Sequence, residues 1–221
     1  MATTLSDLMF LVRSEGDELT SDFVLDDELL IYINNSYRRL NIELVTRGIY
    51  ELNNVDVTVS GTDTGFDVPS DFYKAKGLEV TSGGTSWTVP NSEFRQRNDK
   101  NPPWRFPYGV PLVTWRLQSD RIEIVPSTHA GGTYRFWYHP EVIPLVEPTD
   151  IISRWIDGTG YHEFIAIDAA IKLKTKGDYP VDSLLIRRQD ILASIQADAY
   201  KRNMARSVTM TDSFARSSQR W

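Results

Sequence analysis

Apolar positions recur with a helical period at both ends of the chain and with a two-residue period in its middle. Leu5, Leu8, Met9 and Val12 share one face of a short helix predicted over residues 4–15, with Thr4 or Ser6 as its cap. Ser14 to Val24 is polar and loop-like. A long helix follows from about Asp26 to Arg47. Leu29, Leu30, Ile33, Tyr37, Leu40 and Leu44 make its buried face, and Arg38, Arg39 and Glu43 look outward. Asp26, Asp27 and Glu28 suit the positive end of the helix dipole, and Gly48 ends the helix.

From Val55 to Tyr138 the pattern changes. Val55, Val57 and Val59 alternate with Asp56, Thr58 and Ser60, the period of a half-buried strand. Phe66-Asp67-Val68 reads as a returning strand, and Pro69 to Phe72 breaks the pairing. Leu78 to Thr81 and Trp87 to Val89 flank Gly83-Gly84, a hairpin signal. Ser92 to Asn98 is predicted as a helical turn or two, and Asn101-Pro102-Pro103 as loop. Leu112 to Leu117 and Ile122 to Val125 are predicted strands joined across Ser119-Asp120. Tyr134 to Tyr138 is the last strand. Pro140, Pro144 and Pro148 punctuate a linker back to the helices, which resume near Ile151 to Trp155.

The closing helical stretch, Tyr161 to Ala205, reads as a two-helix hairpin. Phe164, Ile167 and Ile171 mark the inner face of the first arm. Val181, Leu184, Leu185, Ile191, Leu192, Ile195 and Ala199 mark that of the second. Lys172, Lys174, Arg187, Gln189 and Asp190 are left for the wetter side. Gly177 is placed in the left-handed conformation that ends a helix, Asp178 as the next cap, and Pro180 in the following first turn. One stripe per arm leaves a third surface to be supplied, and the 26–47 helix is the candidate.

Helices, then strands, then helices argue for an α+β fold: a mainly α-helical bundle with an inserted small antiparallel β module and an extended C-terminal arm. The boundaries read as residues 1–52 for the N-terminal helices, 53–150 for the β insertion and linker, 151–205 for the hairpin, and 206–221 for the arm.

Composition narrows the function. Of 221 residues 41% are hydrophobic, enough for a sizeable core. No apolar run is long enough to span a membrane, and the start lacks a secretory pattern. Cysteine is absent, which removes disulfides and thiolate metal sites. The net charge of −6 is uneven: residues 1–200 carry 19 basic and 29 acidic side chains, whereas the end from Lys201 carries five basic residues and one acidic. Such a tail, with Phe214 and Trp221 in it, suits an arm that orders on an acidic partner.

Motifs for catalysis are missing. His129, His139 and His162 are scattered, and His162-Glu163 with Asp168 does not line one helix face. The glycine pairs at 83–84 and 131–132 lie between strands and lack the order of a phosphate loop. There is no Gly-x-Ser-x-Gly elbow. Asn34-Asn35-Ser36 matches a glycosylation acceptor but falls in mid-helix. Aromatics are enriched in the β module (Trp87, Phe94, Trp104, Phe106, Tyr108, Trp115, Tyr134, Phe136, Trp137 and Tyr138), interleaved with Arg95, Arg97, Arg105, Arg116 and Arg135. They are either a stacking platform for bases or sugars or the core of a small sheet, and the acidic body favours the core.

The ordered set of Leu5-Ser6-Asp7-Leu8…Val12-Arg13, Asp26-Asp27-Glu28-Leu29-Leu30…Tyr37-Arg38-Arg39-Leu40, Phe66-Asp67-Val68-Pro69-Ser70-Asp71-Phe72, Ile122-Glu123-Ile124-Val125-Pro126, Tyr134-Arg135-Phe136-Trp137-Tyr138 and Tyr161-His162-Glu163-Phe164…Asp168-Ala169-Ala170-Ile171-Lys172 resembles the head-to-tail adaptor, or connector, proteins of tailed bacteriophages, short-tailed ones especially. The resemblance implies a structural virion protein at the head-tail interface, assembled in the host cytoplasm, and no enzyme. It implies a homo-oligomeric ring of twelve copies under the homo-dodecameric portal protein, with a downstream tail or nozzle protein attached below. Double-stranded DNA would pass through the ring unread, with no membrane, cofactor or metal involved. Some relatives have been linked to cell-wall hydrolysis, for which no carboxylate pair is found here. On the basic aromatic tail, Arg206, Phe214, Arg216, Arg220 and Trp221 are the candidate portal-docking residues. The alternative function is a carbohydrate- or nucleic-acid-binding module built on the aromatic insertion.

Overall fold

The computed structural model describes residues 2–17, 23–48, 52–82, 84–92, 113–125, 130–157 and 160–204. The described residues of Met1–Ile49 and Pro144–Trp221 form one compact unit, and those of Tyr50–Ile143 form a second.

The first unit is helical: α1 Leu5–Glu15, α2 Asp26–Thr46, the single turn α3 Arg154–Asp157, α4 His162–Lys176 and α5 Asp182–Met204. α1 opens with a reciprocal cap. The Asp7 amide donates to Thr4 Oγ1 and the Thr4 amide donates to Asp7 Oδ2, which satisfies two donors that a helix start leaves unpaired. Leu5, Leu8 and Val12 are buried, as their spacing predicts. Each such side chain contributes roughly 1.5–3 kcal/mol by leaving water. α2 buries Leu29, Ile33, Tyr37, Leu40 and Leu44, and Gly48 follows it at φ +81°.

α4 is the centre of this unit. Every residue from Phe164 to Ile171 is buried, because α1, α2 and α5 pack around it. The expected single stripe of Phe164, Ile167 and Ile171 is therefore too narrow. Short apolar residues between them (Ala166, Ala169 and Ala170) let neighbouring helices close on the other sides. The reverse holds for α5. Leu184, Ile195 and Ala199 are buried, while Leu185, Ile191 and Leu192 are only half-buried.

The connection between α4 and α5 also differs from expectation. The left-handed residue is Asp178, at φ +55°, and Gly177 has an ordinary φ of −90°. Aspartate tolerates that conformation. Gly177 lies against the exposed Tyr179 ring, which a Cβ would meet at 2.6 Å and push aside. Pro180 precedes α5, whose Leu185 amide donates to the Val181 carbonyl. Lys172 and Lys174 are drawn inward by acidic partners, Asp168 and Asp17.

The second unit is two antiparallel sheets. Its strands are β1 Asn53–Val59, β2 Gly65–Asp67, β3 Phe72–Ser82, β4 Thr85–Val89, β5 Thr114–Gln118, β6 Arg121–Val125 and β7 Gly132–Pro140. One sheet has the order β1-β7-β3-β4 and the other β2-β6-β5. Alternate side chains of β7 share a face, so Tyr134, Phe136 and Tyr138 point into a core shared by both sheets. The Phe136 ring lies 6.0 Å from Phe66 and 6.3 Å from Trp115 of the opposite sheet, and 5.6 Å from Tyr138. Gly84, at φ +80°, and Ser119, at φ +57°, turn the two tight hairpins.

Two further expectations are overturned. Phe66–Val68 does not return along β1; β2 pairs with β6 instead. Gly65 allows this approach, because a Cβ there would sit 1.9 Å from the Ile122 carbonyl oxygen. The fold is also not a mainly helical bundle with a small β insertion. It is a sheet-rich α+β fold, since the strands close a two-sheet core of their own. Local periodicity finds the strands, but the bulk of the aromatic residues on β7 is what lets two sheets face each other over them.

Candidate assembly surfaces

One buried charge ties the helical unit together. Asp168 of α4 is 1% exposed and is met from three helices. Ser36 and Lys172 reach Oδ2 at 2.9 and 3.0 Å, and Arg39 and Arg188 reach Oδ1 at 3.2 and 2.9 Å. Burial pushes the Asp168 carboxyl upward, but hydrogen bonds from Lys172, Arg188 and Ser36 and the Lys172 charge outweigh it and hold it below the ordinary aspartate range. Arg39, expected to look outward, is half-exposed yet joins this node. A second link is Arg187, which bridges Glu15 of α1 at 2.6 Å and Glu163 of α4 at 2.8 Å. His162, Glu163 and Asp168 form no relay, in line with their spacing. Glu163 faces Arg187, and His162 Nδ1 lies 3.7 Å from Asp157. Among the described residues no three acidic or histidine side chains cluster as a metal site.

The outer faces of α2 and α5 carry what the core does not use. On α2, Ile31, Asn35, Arg38 and Ile42 follow one another at helical spacing and are all exposed, Ile31 by 58% and Ile42 by 41%. On α5, Ile186, Asp190, Ala193, Ala197 and Tyr200 form the matching stripe, with Ile186 60% exposed. Both stripes lie opposite their helix's buried face. Their signal is in the sequence, as a second and sparser apolar repeat out of phase with the first, but it is masked by the stronger core repeat.

Of the described aromatics that the sequence singles out in the β module, all but Trp137 belong to its core or pack against it. Trp115, Tyr134, Phe136 and Tyr138 are buried between the sheets, and Trp87 packs against them. The interleaved arginines hold acids on adjacent strands: Arg135 forks onto Asp56 at 2.7 and 2.9 Å, and Arg116 pairs with Glu123. Phe94, Trp104, Phe106, Tyr108, Arg95, Arg97 and Arg105 lie outside the described residues, as does His129. A shallow cavity of about 330 Å³ lies over Leu52, Lys76, Gly77, Leu78, Glu79, Thr88 and Trp137.

The sequence-predicted docking residues Arg206, Phe214, Arg216, Arg220 and Trp221 also lie outside the described residues. No helix among those described is long and apolar enough to cross a membrane.

Comparison with known proteins gives the arrangement its context. No curated protein matches the chain. The family model described as SU10 adaptor protein matches residues 3–219, nearly the whole sequence and both structural units. The chain therefore belongs to the SU10 adaptor protein family, a family of phage head-tail adaptors.

Proposed function

We propose that the protein is a structural ring adaptor seated between the capsid portal and the tail, where it extends the DNA channel. The observation that carries this is the family match over residues 3–219. The helical unit suits the task. Its helices are cross-braced at Asp168 and Arg187, so it can transmit a fixed geometry from one partner to the next. Residues 206–221 continue from α5 and are the proposed docking arm, with Arg206, Phe214, Arg216, Arg220 and Trp221 as its anchors on the portal protein. An acidic body of 29 carboxylates against 19 basic groups lets DNA slide past without sticking. Twelve copies, a nozzle or tail protein below and a place at the virion's head-tail interface complete the reading, with assembly in the host cytoplasm.

The test is native mass spectrometry of portal rings mixed with the full-length chain or with a chain ending at Ala205. Symmetric loading of about twelve copies by the full chain, lost on shortening, is the expected result. Loading by both removes the docking arm, and loading by neither removes the adaptor reading.

A further inference from the structure

We propose that the outer face of α2 in one copy packs antiparallel on the outer face of α5 in the next, and that this contact joins the protomers of the ring. The inference rests on the adaptor reading for its ring, but the contact itself is argued from the two faces.

Both helices pack on α4 and turn an exposed stripe away from it. The stripes are complementary in sequence spacing. With Ile42 set against Ile186, the position four residues back along α2 is Arg38, and the position four residues forward along α5 is Asp190. Eleven residues along, Ile31 meets Ala197. Fifteen residues along, Asp27 meets Lys201. Two apolar contacts thus alternate with two opposite-charge contacts in a single antiparallel register. Asp27, Arg38, Asp190 and Lys201 are all exposed in the isolated chain, Lys201 with a side chain 77% exposed.

A parallel arrangement over the same length of α2 fails the same comparison. With Ile31 against Ile186, Asp27 falls opposite Asp182, and Arg38 falls opposite Ala193. Like charges face each other and Arg38 has no acid across from it, a cost that suppresses the wrong orientation. Isoleucines at 58%, 41% and 60% exposure are surface that a partner helix would cover by ordinary ridge-and-groove packing. The two halves belong to different helices of one chain, so the contact is heterologous: each copy offers α2 to one neighbour and α5 to the other. Such contacts propagate and close into rings when the rotation allows.

The chain contains no cysteine, so a pair can be introduced cleanly. Ile42→Cys with Ile186→Cys in one chain, oxidised mildly both as free concentrated protein and after loading on portal rings, is expected to give a reducible ladder of multimers of the 25.3 kDa chain. Ile31→Cys with Ile186→Cys reports the parallel register and is expected to give none. No adduct from the first pair in either state, adducts that stop at dimer, or an equal ladder from the second pair would overturn the proposal. Loading on portals without a ladder would leave the adaptor reading intact and remove this contact. A ladder from the free chain without loading would do the opposite. Independently, Arg38→Asp or Asp190→Arg alone should weaken self-association by about tenfold, and the double exchange should restore it. Failure of the double variant to recover would also count against the pairing.

Discussion

Arg188 of α5 donates from Nη1 to Asp168 Oδ1 of α4 across 2.9 Å, in a site where the carboxylate is 1% exposed. Lys172 from α4 and Ser36 and Arg39 from α2 also meet it. A buried ion cluster of this kind is not a large net gain in itself, but removing one member leaves charges without a counterpart. Asp168→Ala is expected to cost about 3–5 kcal/mol. Urea unfolding checks this. A loss within about 0.5 kcal/mol would mean the cations relax into water unharmed.

The same residue sets part of the acid response. The Asp168 carboxyl titrates below its ordinary value of 3.8 in the folded chain, so the unfolded chain binds the proton first as the pH falls. Its contribution is complete above that value and is lost as the pH drops through the lower folded value. Asp168→Asn, measured against the parent chain from pH 5 to pH 2, should show a shallower fall in stability, by up to about 1.4 kcal/mol per pH unit. Parallel curves would show that other carboxylates govern acid unfolding.

In the second unit, the Tyr134 hydroxyl is buried with no hydrogen-bond partner among the described residues, and burial pushes its pKa up to about 12. Tyr134→Phe removes an unpaired polar atom and keeps the ring, so it should stabilise by about 1–2 kcal/mol. The sign in alkali follows from the raised value. The unfolded chain loses this proton near 10 and the folded chain near 12, so stability falls as the pH rises across that interval. The phenylalanine variant should lose less. Thermal melts at neutral pH and at pH 11 check both halves.

How much of this was legible varies with the range of the interaction. The Thr4 cap, most of the inner faces of α1 and α2 and the alternation in β1 depend on neighbours within a turn or two and follow expectation, although Met9 and Leu30 are only half-buried. The pairing of β2 with β6 joins residues more than fifty positions apart, and nothing local to Phe66 announces it. Asp168 looked like one more polar helix residue, because the cations that enclose it come from Arg39 and Arg188 on other helices. The size of the β module is hidden for the same reason. No strand carries a core alone, and only their mutual closure over Phe136 makes them a unit with one.

The β2–β6 register gives a separate prediction. Gly65 lies against the Ile122 carbonyl, and the added Cβ of Gly65→Ala would meet backbone that cannot rotate aside. The variant should be destabilised by about 1–3 kcal/mol. Hydrogen exchange should show the loss first in β2, β5 and β6. Unchanged protection in those strands would mean that the sheet absorbs the methyl group.

In the proposed role this chain joins a phage head to its tail. The most direct measurement is electron microscopy of particles from a phage whose gene for this protein is interrupted, with the protein supplied from a plasmid as control. The account predicts DNA-packaging heads that carry portals but no tails, and complete virions once the protein is restored. Complete tailed virions without the protein would contradict it.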